Sequence, residues 1–148
     1  MYTKIMVAID DSEISRCALA EAKHIARSSN AQLYITHVAD ETLLGMHNRT
    51  FSTTFNLDHA LQALVKAGEE LLAAALQDAG ELKVETVLLE ARQQRVSETL
   101  VAKANELGVD LIVIGRHGQR GLAKLIVGSV AEQVAKMADA SVLLVRKH

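Results

Sequence analysis

Asp110-Leu111-Ile112-Val113-Ile114-Gly115-Arg116-His117-Gly118-Gln119-Arg120-Gly121-Leu122-Ala123-Lys124-Leu125-Ile126-Val127-Gly128-Ser129 is the stretch whose reading decides the fold. It begins as an apolar, β-branched run of buried-strand length. The residues that follow it, Val130 to Ala138, have helical spacing. The glycine-rich part is therefore a loop between a strand and a helix. Glycines at 115, 118 and 128 leave room for positive φ and let the backbone approach a ligand closely, while the first N–H groups of the following helix lack partners. Together these properties make an anion site.

Working outward, the rest of the chain alternates strand and helix in the same way. Lys4 to Ile9 is a short apolar run ending at Asp10, and Ser12 is placed to cap a helix that carries Ile14, Cys17, Ala18, Ile25 and Ala26 on one face and stops at Asn30. A second strand, Ala31 to Val38, is followed by a polar stretch from Asp40 to about Phe55, long enough to be a lid. The longest helix runs from Asn56 or Asp58 to Ala79, with Leu61, Leu64, Val65, Leu72, Ala75 and Leu76 facing one way and Gly80 as its stop. Lys83 to Leu89 is the third strand, Arg95 to Leu107 a helix ended by Gly108, and Ser141 to Val145 the fifth strand.

Continuous apolar strands in strict alternation with helices imply an α/β fold, a five-stranded parallel sheet with helices on both faces, Rossmann-like. Among the orders that right-handed crossovers permit, 3-2-1-4-5 is expected. It reverses direction once and opens a crevice at the carboxyl ends of the first and fourth strands, bringing Asp10 and the glycine loop to one site.

Composition narrows the function. A chain of 148 residues with 49% hydrophobic side chains fits a single domain over 1–148. A net charge of −2 gives no general attraction to nucleic acid or anionic lipid, and 3% aromatic content offers no base-stacking platform. Cys17 is the single cysteine, on an apolar helix face that predicts a core position, and no apolar run is long enough to span a bilayer. A cytoplasmic protein without nucleic-acid or membrane partners is expected.

Asp10-x-Ser12 after the first strand, Gly115-x2-Gly118-x9-Gly128-Ser129 after the fourth, and the closing Val142-Leu143-Leu144-Val145 resemble the universal stress protein family in its ATP-binding branch. The resemblance covers essentially the whole chain. It implies a five-stranded α/β fold, a homodimer, a bound nucleotide and a regulatory part in stress responses rather than turnover. Carried over by position, it implies Ala8 and Val38 beside the adenine, Asp10 near the adenosine, Ile114 and Gly115 at the ribose edge, and Gly118, Gly128, Ser129 and Val130 at the phosphates. The implied ligand is ATP, alone or with Mg2+, with AMP, ADP or a cyclic nucleotide as alternatives. The sequence departs from the family pattern at Asp11, where glycine is common, at Glu90 to Arg95, which replaces a Gly-x-Pro segment, and at Ala140-Ser141, where prolines are usual.

Each residue also has a simpler reading. Asp10 can merely form a turn, and Ser129 with Glu132 three residues on fits a capping box. Arg116, His117, Arg120 and Lys124 either meet phosphate or decorate a solvated loop. His24, His37, His47, His59 and His148 lack metal-ligand spacing, so no metal site is expected. Gly118 to Gly121 has the form of an RNA-clamping GXXG, which the acidic balance disfavours. No base is paired with a nucleophile, and no Walker lysine is present, so catalytic residues are not assigned. The alternatives are a slow ATPase or self-phosphorylating enzyme of the same fold, a nucleotide-independent dimeric interaction module, and a phosphoacceptor domain, which lacks its aspartate after the third strand. The uncovered edge of the last strand predicts a homodimer through Val142 to Val145.

Overall fold

In a computed structural model, residues 1–42, 44, 57–117 and 127–147 are described. Five strands, β1 (Lys4–Ala8), β2 (Gln32–Asp40), β3 (Val84–Ala91), β4 (Leu111–Gly115) and β5 (Ser141–Val145), form one parallel sheet in the order β3-β2-β1-β4-β5. Helices α1 (Glu13–Ser29), α2 (Leu57–Ala75), α3 (Val96–Leu107) and α4 (Ser129–Met137) lie between them. This is the Rossmann-like α/β fold with the strand order expected from the sequence. Among the described residues no helix is long and apolar enough to cross a membrane.

The alternation of side chains along each strand builds two cores. Ile5, Val7, Leu33, Ile35, Leu111 and Val113 point toward α1 and α2, where Ala18, Ala22 and Ala26 form a four-residue-spaced stripe that lets α1 lie close to the sheet. Met6, Tyr34, Ile112 and Ile114 face the other way, against Leu100, Val101 and Ala104 of α3 and Ala131 and Val134 of α4. Ile5, Met6, Val7, Leu33, Ile35, Ile112 and Val113 are wholly buried. Each contributes roughly 1.5–3 kcal/mol of apolar transfer.

Helix ends follow the local signals where no tertiary contact competes. The Ser12 hydroxyl accepts the Ser15 amide at 3.3 Å, and Asn30 closes α1 in the left-handed region at φ 51. Gly108 closes α3 at φ 68. The expectation for α2 fails at both of its marks. The helix ends at Ala75 rather than Ala79, and Gly80, though at φ 61, lies beyond it in a turn where Asp78 also takes a positive φ of 62. The cause is tertiary: Lys23 of α1 donates to the carbonyls of Ala75 at 2.8 Å and Gln77 at 3.0 Å, and Arg27 donates to that of Asp78 at 3.2 Å. Two cations thus satisfy carbonyls that would otherwise need another helical turn.

The expected apolar face of α2 is likewise only half used. Leu72 and Ala75 are buried with Gly68, whereas Leu61, Leu64 and Val65 are half-buried and Leu76 is exposed. Cys17, expected in the core, is half-buried.

Candidate functional site

The carboxyl ends of β1 and β4 lie side by side, because Ala8 pairs with Ile114. Register extends that pair into a row across the sheet, Val87, Thr36, Ala8, Ile114 and Leu144. On this row Thr36 is wholly buried and Ile114 nearly so, whereas Ala8, on the central strand, is half-exposed. Solvent therefore reaches the middle of the sheet over its smallest side chain. Val38, two residues beyond Thr36 on β2, is half-buried on the same side.

The turn after β1 is held at several points. The Ile9 amide donates to the Thr36 carbonyl at 2.8 Å, and His37 Nδ1 donates to the Ile9 carbonyl at 2.8 Å, which fixes the Nδ1–H tautomer. The Asp10 amide donates to Ser15 Oγ at 2.9 Å, and Asp10 Oδ1 accepts the Ser12 amide at 2.9 Å. Asp10 is thus the turn-former of its simpler reading. Its second oxygen, Oδ2, has no partner among the described residues.

The turn after β4 is pinned at its two ends. The Arg116 amide donates to the Val145 carbonyl at 2.7 Å, and the Gly128 amide donates to the Arg116 carbonyl at 2.7 Å. Gly115 and Gly128 do not use positive φ, contrary to the expectation from sequence; only Gly80 and Gly108 do among the described glycines. What these two positions require is space. A Cβ on Gly115 would stand 3.1 Å from Ile14 Cγ2, and one on Gly128 would stand 3.1 Å from His117 Cα and 3.4 Å from the Arg116 carbonyl oxygen.

The capping-box reading of Ser129 is overturned. Gly128 occupies the N-cap of α4 with φ −61 and ψ 149, no side chain caps the helix, and Ser129 is its first residue. Glu132 bonds instead to Lys136 at 2.8 Å. The exposed Ser129 hydroxyl and the first amides of α4 are left at the mouth of the turn.

The structure therefore brings Ala8, Asp10, Val38, Ile114, Gly115, Gly128, Ser129 and Val130 to one end of the sheet. Gly118, Arg120 and Lys124 lie outside the described residues, as does most of the Asp40 to Phe55 stretch. Sequence reasoning missed Ser15 and the part His37 plays in holding Ile9, because neither has a local signal. It also missed Thr36, a fully buried residue whose hydroxyl has no partner among the described residues. A concavity of about 480 Å3 lies elsewhere, between α2 and the Glu90–Arg92 corner. Its Arg92 is already engaged by Glu90 at 2.8 Å and Glu41 at 3.4 Å, and Lys66 is the other cation on its wall.

The universal stress protein family profile matches residues 1–146. The chain belongs to the universal stress protein family. It is 34% identical over 149 residues to universal stress protein YxiE of Bacillus subtilis, covering 99% of this chain and 100% of that one. The solved structure of the Methanocaldococcus jannaschii protein MJ0577 superposes with a TM-score of 0.80 at 26% identity, covering 100% of this chain and 98% of that one. A universal stress protein solved in complex with cAMP superposes with a TM-score of 0.60 at 26% identity, covering 97% and 96% of the two chains.

Proposed function

We propose that this universal stress protein binds an adenine nucleotide where β1 and β4 end, and that occupancy regulates its shape or partner affinity rather than feeding a turnover reaction. The observation that carries the reading is the convergence of the tied Asp10 turn and the uncapped start of α4 on adjacent strands. In this reading Ala8 and Val38 border the adenine, and Asp10 Oδ2 accepts from the ribose or the adenine amino group. Ile114 and Gly115 line the ribose, and Gly118, Gly128, Ser129 and Val130 meet the phosphates. A carboxylate at one end and helix amides at the other suit a ligand with a hydroxyl-rich end and an anionic end. ATP, with or without Mg2+, fits that polarity, and the cAMP complex of a relative supports the ligand class.

Calorimetric titration with ATP, ADP, AMP and cAMP tests this. Binding below millimolar concentration, together with an adenine nucleotide released from the purified and denatured protein, is the expected result. No heat with any of the four up to millimolar concentration would overturn it.

The proposal includes a homodimer through β5 and a cytoplasmic setting. The two sheet edges differ. On β3, Glu85, Thr86 and Glu90 are exposed and protect the edge with charge, whereas Val142 to Val145 on β5 present half-buried apolar side chains. A second β5 is the partner that such an edge accepts.

A further inference from the structure

Two buried polar atoms at this end of the sheet, Thr36 Oγ1 and Arg116 Nε, are left without a role by everything above, and the second carries charge. Arg116 Nε is buried and has no hydrogen-bond partner among the described residues. Its backbone is fixed on both sides, by the amide's bond to Val145 and the carbonyl's bond from Gly128, so the position of the side chain's root is determined by the fold. The Gly128 bond sets that root beside the start of α4, since Gly128 is the N-cap of the helix that begins at Ser129.

Among the described residues no carboxylate reaches Arg116 Nε: Glu132 pairs with Lys136 at 2.8 Å, Glu13 with Lys147 at 2.8 Å, and Asp10 holds the Ser12 amide through Oδ1. A buried guanidinium N–H without an acceptor is costly, and an anion oxygen brought to it removes that cost. The geometry points to Arg116 as a ligand-contacting residue whose Nε–H is reserved for a phosphoryl oxygen of the bound nucleotide, so that it sets the preference for more highly phosphorylated ligands. This rests on the nucleotide reading above and adds to it a charged group outside the glycine pattern. Helix amides can hold a phosphate, but a fixed cation makes affinity rise with ligand charge.

The test compares wild type with Arg116→Met, which keeps the aliphatic stem and removes the charge and the N–H. Adenosine, AMP, ADP and ATP are titrated into both, and unfolding midpoints are measured with and without sodium tripolyphosphate. Wild type should bind ATP more tightly than adenosine. Arg116→Met should lose about 10- to 100-fold in ATP affinity while adenosine affinity stays unchanged. Arg116→Lys should recover part of the loss, since it keeps charge but not the Nε–H. Without ligand, Arg116→Met should unfold at the same temperature as wild type or higher, because an unpaired buried donor has been removed. An equal loss for adenosine and ATP, an unchanged ATP affinity, or a lowered midpoint without ligand would each overturn the role of Arg116 while leaving nucleotide binding intact. If wild type binds no nucleotide, the reading of the site fails. The Arg116 inference then stands only if tripolyphosphate raises the midpoint of wild type and not of Arg116→Met, and it falls if neither responds.

Discussion

Replacing Gly68 with alanine is the most informative single change away from the glycine turn. Gly68 sits inside α2 with an ordinary helical backbone, so alanine there gains about 0.8–1 kcal/mol of helix propensity. Against this, the new Cβ would stand 2.8 Å from Leu88 Cδ1 and 2.9 Å from His37 Cδ2. Leu88 can give, because its methyl is the end of a rotatable chain. The His37 ring cannot move without stretching its 2.8 Å bond to the Ile9 carbonyl. Overpacking of this kind costs about 1–3 kcal/mol, so Gly68→Ala should destabilise by about 1 kcal/mol, or about 2–4 °C in melting temperature for a chain of this size. In a His37→Ala background the obstacle is gone. Gly68→Ala should then stabilise by up to about 1 kcal/mol, giving a coupling of about 1–2 kcal/mol in the double-mutant cycle. Urea unfolding of the four proteins, followed by circular dichroism, measures it. If Gly68→Ala stabilises the wild-type background, or the two changes add within about 0.5 kcal/mol, the account of His37 as a fixed ring clamped over Gly68 is wrong.

Other consequences follow from the same contacts. Gly128→Ala should cost about 1 kcal/mol of global stability, because φ −61 and ψ 149 suit alanine but its Cβ would stand 3.1 Å from His117 Cα and 3.4 Å from the Arg116 carbonyl oxygen, backbone atoms that must shift. Calorimetry should show at least about a tenfold loss of ATP affinity, the equivalent of about 1.4 kcal/mol. For Asp110, burial alone would raise its carboxyl, but hydrogen bonds from the Thr3 amide and hydroxyl and from the Lys4 amide outweigh it and hold the pKa below the ordinary value. Because the folded value is the lower one, this stabilisation is complete above the unfolded carboxyl's pKa near ~4 and is lost as pH falls through the folded value. Asp110→Asn should therefore be destabilised at pH 7 by roughly 1–2 kcal/mol in thermal or urea unfolding, with the gap to wild type closing below about pH 4. Leu143→Lys should shift sedimentation from dimer to monomer at micromolar concentration, and a wild type that is already monomeric there would refute the β5 interface.

The sequence-derived sheet order matches the structure because each cue for it is local or nearly so. Strands buried on both faces read as continuous apolar runs, and Asn30 and Gly108 stop their helices with left-handed residues that neighbours cannot easily override. The end of α2 was not legible, since Gly80 supplies the usual stop but the decision lies with Lys23 and Arg27, more than fifty residues earlier in sequence. Ser129 misleads for a related reason. Its capping-box pattern is real as a pattern, but Gly128 takes the cap position and Lys136 captures the glutamate.

The same distinction separates the legible and hidden parts of the site. Residues that leave room for close backbone approach or form a turn through a short side chain, such as Gly128 and Asp10, leave a mark in spacing. Those that act through a partner brought in by the fold leave none. His37 looks like any strand histidine until Ile9 lies beside it. Arg116 reads in sequence equally as a phosphate contact or a solvated loop cation, and only the 2.7 Å bonds at Val145 and Gly128, which fix its root, and its buried Nε set it apart. On the proposed reading, the family pattern marks the phosphate end of the crevice, and the affinity order among AMP, ADP and ATP is predicted to follow a residue lying between the pattern's glycines. Two relatives sharing Gly115, Gly128 and Ser129 should then diverge in that order when they differ at position 116, and a comparison in which the order follows the glycine motif and ignores the charge at 116 would refute the proposed role of Arg116.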